Sequence, residues 1–399
     1  MLGRLGLVKG AGERIAATAA LTLLLAACGG TAASAGSPAP ASAAKPAPSA
    51  SAQPATSPAA SAAAVTRAVR KEGPSITFKF ASSATETDIS GDGYKHWAKL
   101  IEERTGGRIK FQFFWAASLL TSQRMFEGLR DGLADFGGSA TASMSGQVPD
   151  VAPFEVPFAY PLESELLLPM YSELNPLLSD VFKAYNQQMV YISPHVVADP
   201  VSCKSKFLDS ANAWKGALVR TAGKWQARTL EVWGAKPVTI DSSEAYSAIQ
   251  RGTADCLLYA YNLYDSGKMY EVAKYVTRID HSINMQAVAA NADAWKKLPP
   301  EDQQILLEAG KETQGFLIKE RDAIVPRVID KAKQNGVKFC TPSQQELQRL
   351  RNATEPVLNE IAQQQSDRGK QMQAVLSKFR AQVKQLGPTD GDMTPCPGT

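Results

Sequence analysis

The stretch FEGLRDGLADFGGSA, residues 126–140, decides how this chain is read, because YSAIQRGTADCLLYA, residues 246–260, follows the same frame. Phe126 matches Tyr246, Leu129 matches Ile249, Gly132 matches Gly252, and Ala134-Asp135 matches Ala254-Asp255. Each copy reads as the apolar face of a helix, a glycine that ends it, and an Ala-Asp pair opening a strand. DSSE, residues 241–244, precedes the second copy and has the pattern of a capping box, with Asp241 and Glu244 satisfying backbone amides reciprocally. Two origins fit the match: generic helix-to-strand loop chemistry, or two α/β lobes of similar build.

Upstream of the first copy, Ile76, Phe78 and Phe80 alternate with other residues as in a strand, and so do Ile109, Phe111 and Phe113. Between them, from Asp92 to Arg104, Tyr94, Trp97, Leu100 and Ile101 share one helical face, which Gly106 and Gly107 terminate. Strand, helix and strand in that space predict a βαβ unit with a parallel pair and a right-handed crossover. Ser122 is placed to cap a helix carrying Met125, Phe126, Leu129 and Leu133. Before the second copy, Ala217, Leu218 and Val219 read as a buried strand, and Arg220 is its last residue before a turn at Gly223. A guanidinium there is costly unless an acid meets it. From Pro300 to Gly336 an apolar stripe through Ile305, Leu306, Ala309, Phe316, Leu317 and Ile324 predicts a long helix, kinked at Pro326. Residues 343–386 read as further helices forming a covering layer.

With 399 residues, 44% of them hydrophobic, the chain has room for two ordinary globular domains. Its net charge of +4 comes without a basic run, which argues against nucleic acid as a partner. At the N-terminus Arg4, Lys9 and Arg14 precede the apolar run IAATAALTLLLAA, too short for a lasting membrane span. It ends in LAAC, which resembles a lipobox, so residues 1–28 are expected to be a lipoprotein signal peptide with Cys28 diacylated; the other reading is an ordinary cleaved signal. Residues 29–75, rich in Ala, Ser and Pro, have nothing to bury and read as a disordered tether. The remaining cysteines, Cys203, Cys256, Cys340 and Cys396, permit three pairings in an oxidising compartment. His96, His195 and His281 stand apart from one another, and no Cys/His spacing fits a metal, so no metal or cofactor is expected. No GxSxG elbow, P-loop, HExxH or dinucleotide fingerprint is present. Glu155, in VAPFEVPFAYP, has no partner acid and reads as structural, which weighs against an enzyme.

The colinear series ITFKFASS, WAKLIEERTGGRIKFQFF, MFEGLRDGLADFGGSA, VPFAYP, WKGALVR, WGAKPVTIDSSEAYSAIQRGTADC and YEVAKYVT resembles the DctP-type substrate-binding proteins of tripartite ATP-independent periplasmic (TRAP) transporters, from about Ile76 to about Asn335. The resemblance implies an α/β, two-lobed periplasmic-binding-protein-like fold (type II-like), with mixed sheets in each lobe and a long helix spanning both. It implies lobe one from 76–197 and 285–324, and lobe two from 198–284 and 325–399 with the C-terminal helices. It puts the family's carboxylate-binding arginine at Arg220 of KGALVR, where a planar fork suits two parallel hydrogen bonds to a carboxylate.

The chain departs from the family where ADCLLYA stands for VDGQENP. Tyr259 replaces a ligand-touching amide or aromatic, and Leu258 a metal-binding acid of some relatives, which argues against a bound cation. Ser242 replaces an aromatic, Trp115 of WAASLL would face the cleft rim, and ADPVSCK lacks the second arginine of sugar-acid binders. The expected ligand-binding set is Arg220, Tyr259, Ser242, Ser83, Thr141 and Trp115. The implied function is that of a non-enzymatic, monomeric receptor, exported and lipid-anchored. It would capture an organic anion, a monocarboxylate or dicarboxylate with an apolar or aromatic body, and deliver it to the membrane permease. The alternatives are an exported enzyme or a sensory lipoprotein on the same scaffold. Cys203 follows a strand entering lobe two, and Cys256 lies in the strand after the second helix. Cys340 opens a late segment onto which the Cys396 tail can fold, so Cys203–Cys256 and Cys340–Cys396 are the expected disulfides.

Overall fold

The computed structural model describes residues 67–194, 198–281 and 285–397. The expected signal peptide with Cys28, the expected tether up to residue 66, and His195 lie outside them. Strands β1 (Ile76–Ser82) and β2 (Ile109–Phe114) pair in parallel around helix α1 (Ile89–Thr105), as the alternating residues predict. Helix α1 begins ahead of Asp92 because Asp88 caps it, its side chain accepting from the Ser90 amide. Trp97 is fully buried and its Nε1 donates to the Leu306 carbonyl at 3.0 Å. Helix α2 (Ser122–Arg130) leads into β3 (Phe136–Ala140). Ser122 is the first helical residue and not the cap, since Thr121 holds the extended backbone before it; Leu133 lies beyond the helix and is exposed.

The short α3 (Thr141–Met144), a 3-10 turn over Pro149–Glu155, α4 (Ser164–Lys183) and β4 (Gln187–Pro194) complete this stretch. The next strands belong to a second sheet: β5 (Asp199–Cys203), β6 (Leu218–Thr221), β7 (Lys236–Thr239), β8 (Cys256–Leu258) and β9 (Tyr275–His281). Helices α5 (Ala211–Trp214), α6 (Lys224–Val232), α7 (Ala245–Arg251) and α8 (Tyr261–Ser266) connect them. Strand β10 (Met285–Asn291) returns to the first sheet and is followed by α9 (Ala292–Lys296) and α10 (Pro300–Gln334). Strand β11 (Lys338–Cys340) and helices α11 (Gln344–Ala353), α12 (Glu355–Ala362) and α13 (Asp367–Arg380) end the chain.

The first sheet runs β2-β1-β3-β10-β4 and the second, from its corresponding edge, β7-β6-β8-β5-β9-β11. Strand β1 is parallel to β2 and β3 as β6 is to β7 and β8, while β10 runs antiparallel to β3 and β4 as β5 does to β8 and β9. The sequence repeat is therefore the trace of one topology used twice, with α2–β3 and α7–β8 in equivalent places. Gly132 (φ 75°) and Gly252 (φ 78°) both occupy the left-handed region that ends each helix. Only half of the expected capping box forms: Asp241 accepts from the Ser243 amide at 2.9 Å, and Ser242–Glu244 makes a 3-10 turn.

Helix α10 packs on α1 and β4 of the first lobe and on α8 of the second. Its Ile305 and Leu306 enter the first lobe's aromatic core, its Val328 and Ile329 the second lobe's core, and the helix is continuous through Pro326. Each such side chain, fully removed from water, contributes about 1.5–3 kcal/mol. The helices after β11 pack on different parts of the structure. Leu347 and Leu350 of α11 do join Trp214 and Val219, but Met372, Leu376 and Phe379 of α13 pack with Leu174 and Leu178 of α4. The apolar face of α13 packs on α4, and α12 packs on α6 and on the 3-10 turn over Pro149–Glu155. Cys203–Cys256 ties β5 to its neighbour β8, and Cys340–Cys396 ties the tail to β11. No helix among the described residues is long and apolar enough to cross a membrane.

Candidate ligand-binding cleft

In open α/β sheets the carboxyl ends of parallel strands leave a crevice where helices begin. Here the ends of β1, β3, β6 and β8 bound one cavity of about 600 Å³, within the range of small-molecule sites. The offset that carries Phe126 onto Tyr246 also carries Thr121, Ser122, Gln123 and Ala140 onto Asp241, Ser242, Ser243 and Ala260, and all eight line the cavity. The two lobes thus present equivalent positions to a shared space. Their chemistry is unequal: among these eight, lobe one offers hydroxyls, an amide and a methyl, while lobe two adds Asp241. Asp199 and Arg220 of lobe two line the cavity as well.

Arg220 is 2% exposed. Its Nε donates to the Ile240 carbonyl at 2.8 Å and its Nη2 to Ser242 Oγ at 3.1 Å. The guanidinium lies over the Tyr259 ring, 5.1 Å from its centroid, and Tyr259 Oη donates to the Ser242 carbonyl at 3.3 Å. Among the described residues this cation has neutral hydrogen-bond partners and no ion pair. Burial pulls its pKa down, while Tyr259, Asp199 and Asp241 pull the other way. Asp241 is occupied by the Ser243 amide and hydroxyl, which hold its carboxyl below the ordinary range.

Of the six expected ligand-binding residues, the structure brings Arg220, Tyr259, Ser242 and Ser83 together around the cavity. Ser242 and Tyr259 hold the arginine in place. Thr141 and Trp115 are not among the lining residues. Thr141 is fully buried at the start of α3, and its hydroxyl has no hydrogen-bond partner among the described residues. Trp115 stacks on Phe113 with centroids 4.6 Å apart, because the aromatic surface of β2 and α1 offers its ring a drier place than the cleft rim. His96 stacks on Phe316 at 4.2 Å, and among the described residues no group of three or more His, Cys, Asp or Glu is arranged to hold a metal.

Asp199 had no place in the expected ligand-binding set, and Glu155, expected to be structural, has a structural task. Asp199, in the segment searched for a second arginine, lines the cavity. Glu155 crosses from the 3-10 turn to α6: its Oε1 accepts from the Trp225 and Gln226 amides at 2.9 and 3.2 Å, and its Oε2 from Ser145 Oγ at 2.8 Å. It caps the helix that follows the Arg220 strand, and Gly223 before that helix must lack a Cβ because one would overlap the carboxylate. The VAPFEVPFAYP signal was visible, but nothing in it names a partner seventy residues on.

A cleft between two like-built lobes, with an immobilised cation on one wall, defines a solute-binding receptor. Residues 80–365 match the bacterial extracellular solute-binding protein family 7, DctP, and the chain belongs to that family, the non-enzymatic extracytoplasmic receptors of TRAP transporters. The 2,3-diketo-L-gulonate-binding periplasmic protein YiaO of Escherichia coli is 23% identical over 266 residues, 66% of this chain and 81% of that one. The fold matches a TRAP periplasmic solute-binding protein of Desulfovibrio salexigens with bound orotic acid, TM-score 0.71 at 20% identity, covering 77% of this chain and 99% of that one. It also matches the periplasmic ectoine-binding protein of the Halomonas elongata TeaABC TRAP transporter, TM-score 0.71 at 18% identity, covering 77% and 100%. The ligands of these relatives are varied, and the family implies a TRAP permease as partner.

Proposed function

We propose that this receptor captures an organic acid, a monocarboxylate or dicarboxylate, by pairing its carboxylate with both arms of Arg220. The observation that carries the reading is a buried guanidinium, fixed by Ile240, Ser242 and Tyr259, that lines the cleft without an ion pair among the described residues. An arginine so held has lost its rotamer freedom before the ligand arrives, so less entropy is lost on binding. Closure of the lobes would dry the site and strengthen the charge-assisted bonds. Leu258, Leu263 and Ala260 on the same wall favour an apolar body on the acid. The cleft is taken as the meeting of lobe one, 76–197 with 285–324, and lobe two, 198–284 with the segment through α11. The monomer would be held outside the cell by diacylated Cys28 through the 29–75 tether, and would pass its ligand to the permease.

Calorimetric titration of a carboxylate panel against wild type, Arg220→Ala and Arg220→Lys tests the reading. Stranding a buried carboxylate costs about 3–5 kcal/mol, so Arg220→Ala should lose roughly two to three and a half decades of affinity, and Arg220→Lys, which lacks the fork, a large part of that. Unchanged affinity in Arg220→Ala would remove the acid-binding assignment. Turnover of a bound acid would favour the exported enzyme instead.

A further inference from the structure

Asp199 is the first residue of β5 and is 5% exposed. Its Oδ1 is buried with no hydrogen-bond partner among the described residues, although the residue lines the same cavity as Arg220. An unpaired buried carboxylate is costly, so a protein that keeps one beside a ligand cavity has a group for it to meet. Among the described residues no neighbour pairs with Oδ1. Strand β9 brings Asp280 and His281 alongside, with His281 the register partner of Asp199. Asp280 is already paired, to Arg278 at 2.9 Å and to the Tyr261 hydroxyl at 2.8 Å, and its charge repels Asp199. On the other side, β8 leads to Tyr259, whose hydroxyl is committed to the Ser242 carbonyl. Arg220 on β6 attracts Asp199 through space, but its two hydrogen bonds within the protein go to Ile240 and Ser242. Lobe one contributes no formal charge among the lining residues.

Resting on the assignment of Arg220 to the ligand's carboxylate, we infer that Asp199 receives a protonated amine on the same molecule, so that the receptor's ligand is a zwitterion, an amino acid in the broad sense. The two side chains then form a dipolar clamp on one wall of the cleft: a fixed cation for the carboxylate and a carboxyl that becomes its counter-charge when the ammonium arrives. A dicarboxylate or a plain fatty or aromatic acid would leave Asp199 unmatched, and a second anionic group near it would be repelled. Burial pushes the Asp199 carboxyl well above the ordinary range, with Arg220 opposing, and a ligand's ammonium beside it favours the charged form.

The test uses matched pairs that differ only in the amine: L-leucine and 4-methylpentanoate, L-phenylalanine and 3-phenylpropanoate, L-glutamate and glutarate, 4-aminobutanoate and butanoate. Titration calorimetry on the whole receptor should find an amine-bearing member that binds about 30-fold or more tighter than its deaminated twin. Asp199→Asn should bind that member more weakly and close most of the gap, while its ligand-free melting temperature is not lowered, since no hydrogen bond to Asp199 Oδ1 is lost. Equal or tighter binding of the deaminated twins overturns the inference, as does a gap unchanged in Asp199→Asn. A neutral Asp199 donating to an amine-free acid would show binding that weakens as pH rises, which also overturns it. Silence from every pair overturns it too. Arg220-dependent binding of other carboxylates in that case leaves the organic-acid reading standing, and only loss of that dependence removes both.

Discussion

Replacing Glu155 separates its work as a cap from its charge. In Glu155→Ala the Trp225 and Gln226 amides and the Ser145 hydroxyl lose their acceptor at a site where Glu155 itself is 2% exposed. A buried donor left unpaired costs about 1–3 kcal/mol, and loss of a helix cap about 0.5–2 kcal/mol. Water entering the space, and removal of a desolvated carboxylate, offset part of this. The net expectation is a loss of about 2–4 kcal/mol, or roughly 5–10 °C in melting temperature. Glu155→Gln can keep all three bonds, its Oε1 accepting both amides and its Nε2 donating to Ser145 Oγ. It forfeits only the charge at the helix N-terminus, worth about 0.3–1 kcal/mol, and should stay within about 1 kcal/mol of wild type.

The pH dependence has a definite sign. Burial raises the Glu155 pKa above its ordinary 4.5 against the pull of its three donors, so the folded state holds that proton more tightly than the unfolded chain. Its contribution to stability is therefore largest at low pH and declines as pH rises from about 4.5 through the raised folded value. Glu155→Gln cannot titrate, so wild type should lose ground to it over that window. Urea unfolding followed by circular dichroism at several pH values measures both effects. An alanine variant as stable as wild type, a glutamine variant as damaged as alanine, or a flat pH difference would refute the reasoning.

Gly223→Ala should destabilise by about 1–3 kcal/mol, because its Cβ would displace the Glu155 carboxylate; combining it with Glu155→Ala should cost less than the sum of the two in urea unfolding. Replacing Cys340 and Cys396 together by serine opens a loop with a sequence separation of 56, for which the chain-entropy relation gives about 4 kcal/mol; ligand affinity by calorimetry should not change, since neither cysteine lines the cleft. Trp115→Ala should lower the melting temperature through its lost stacking, worth about 0.5–1.5 kcal/mol beyond area, and leave affinity intact; a large affinity loss would return the residue to the cleft rim.

Local pattern carried the reading where the chain's partners are close in sequence. Alternation around Ile76 and Ile109 foretold β1 and β2, and the matched glycines foretold two helix ends with near-identical backbone. Arg220 was legible because an arginine ending an apolar strand breaks the local rule. Trp115 misled because a large aromatic after a strand suits a cleft rim or a core equally, and only the packed faces of β2 and α1 decide. Asp199 was passed over since a carboxylate carries no periodicity of its own; its meaning arises from having no neighbour to pair with. The structural reading of Glu155 agrees with its capping of α6, but the partner lies seventy residues on, beyond any local pattern. The destination of α13 depends on which surface is left bare after both lobes form.

The position of β10 bears on how the chain can be assembled as it leaves its site of synthesis. Strand β10 lies between β3 and β4 and runs against both, yet it follows the whole of β5 to β9. A chain threaded outward from its N-terminus presents β3 and β4 as two unjoined edges, each able to recruit another strand, until residues 285–291 arrive. The stretch that forms β5 to β9, with one disulfide inside it, contains five of the six strands of its own sheet and is free to close first. Late completion of the outer layer around an earlier-formed insert makes the newly emerging molecule most prone to mispairing midway through its length. Stalling emergence just before Met285 should thus yield a species with a protease-resistant interior segment and adhesive ends.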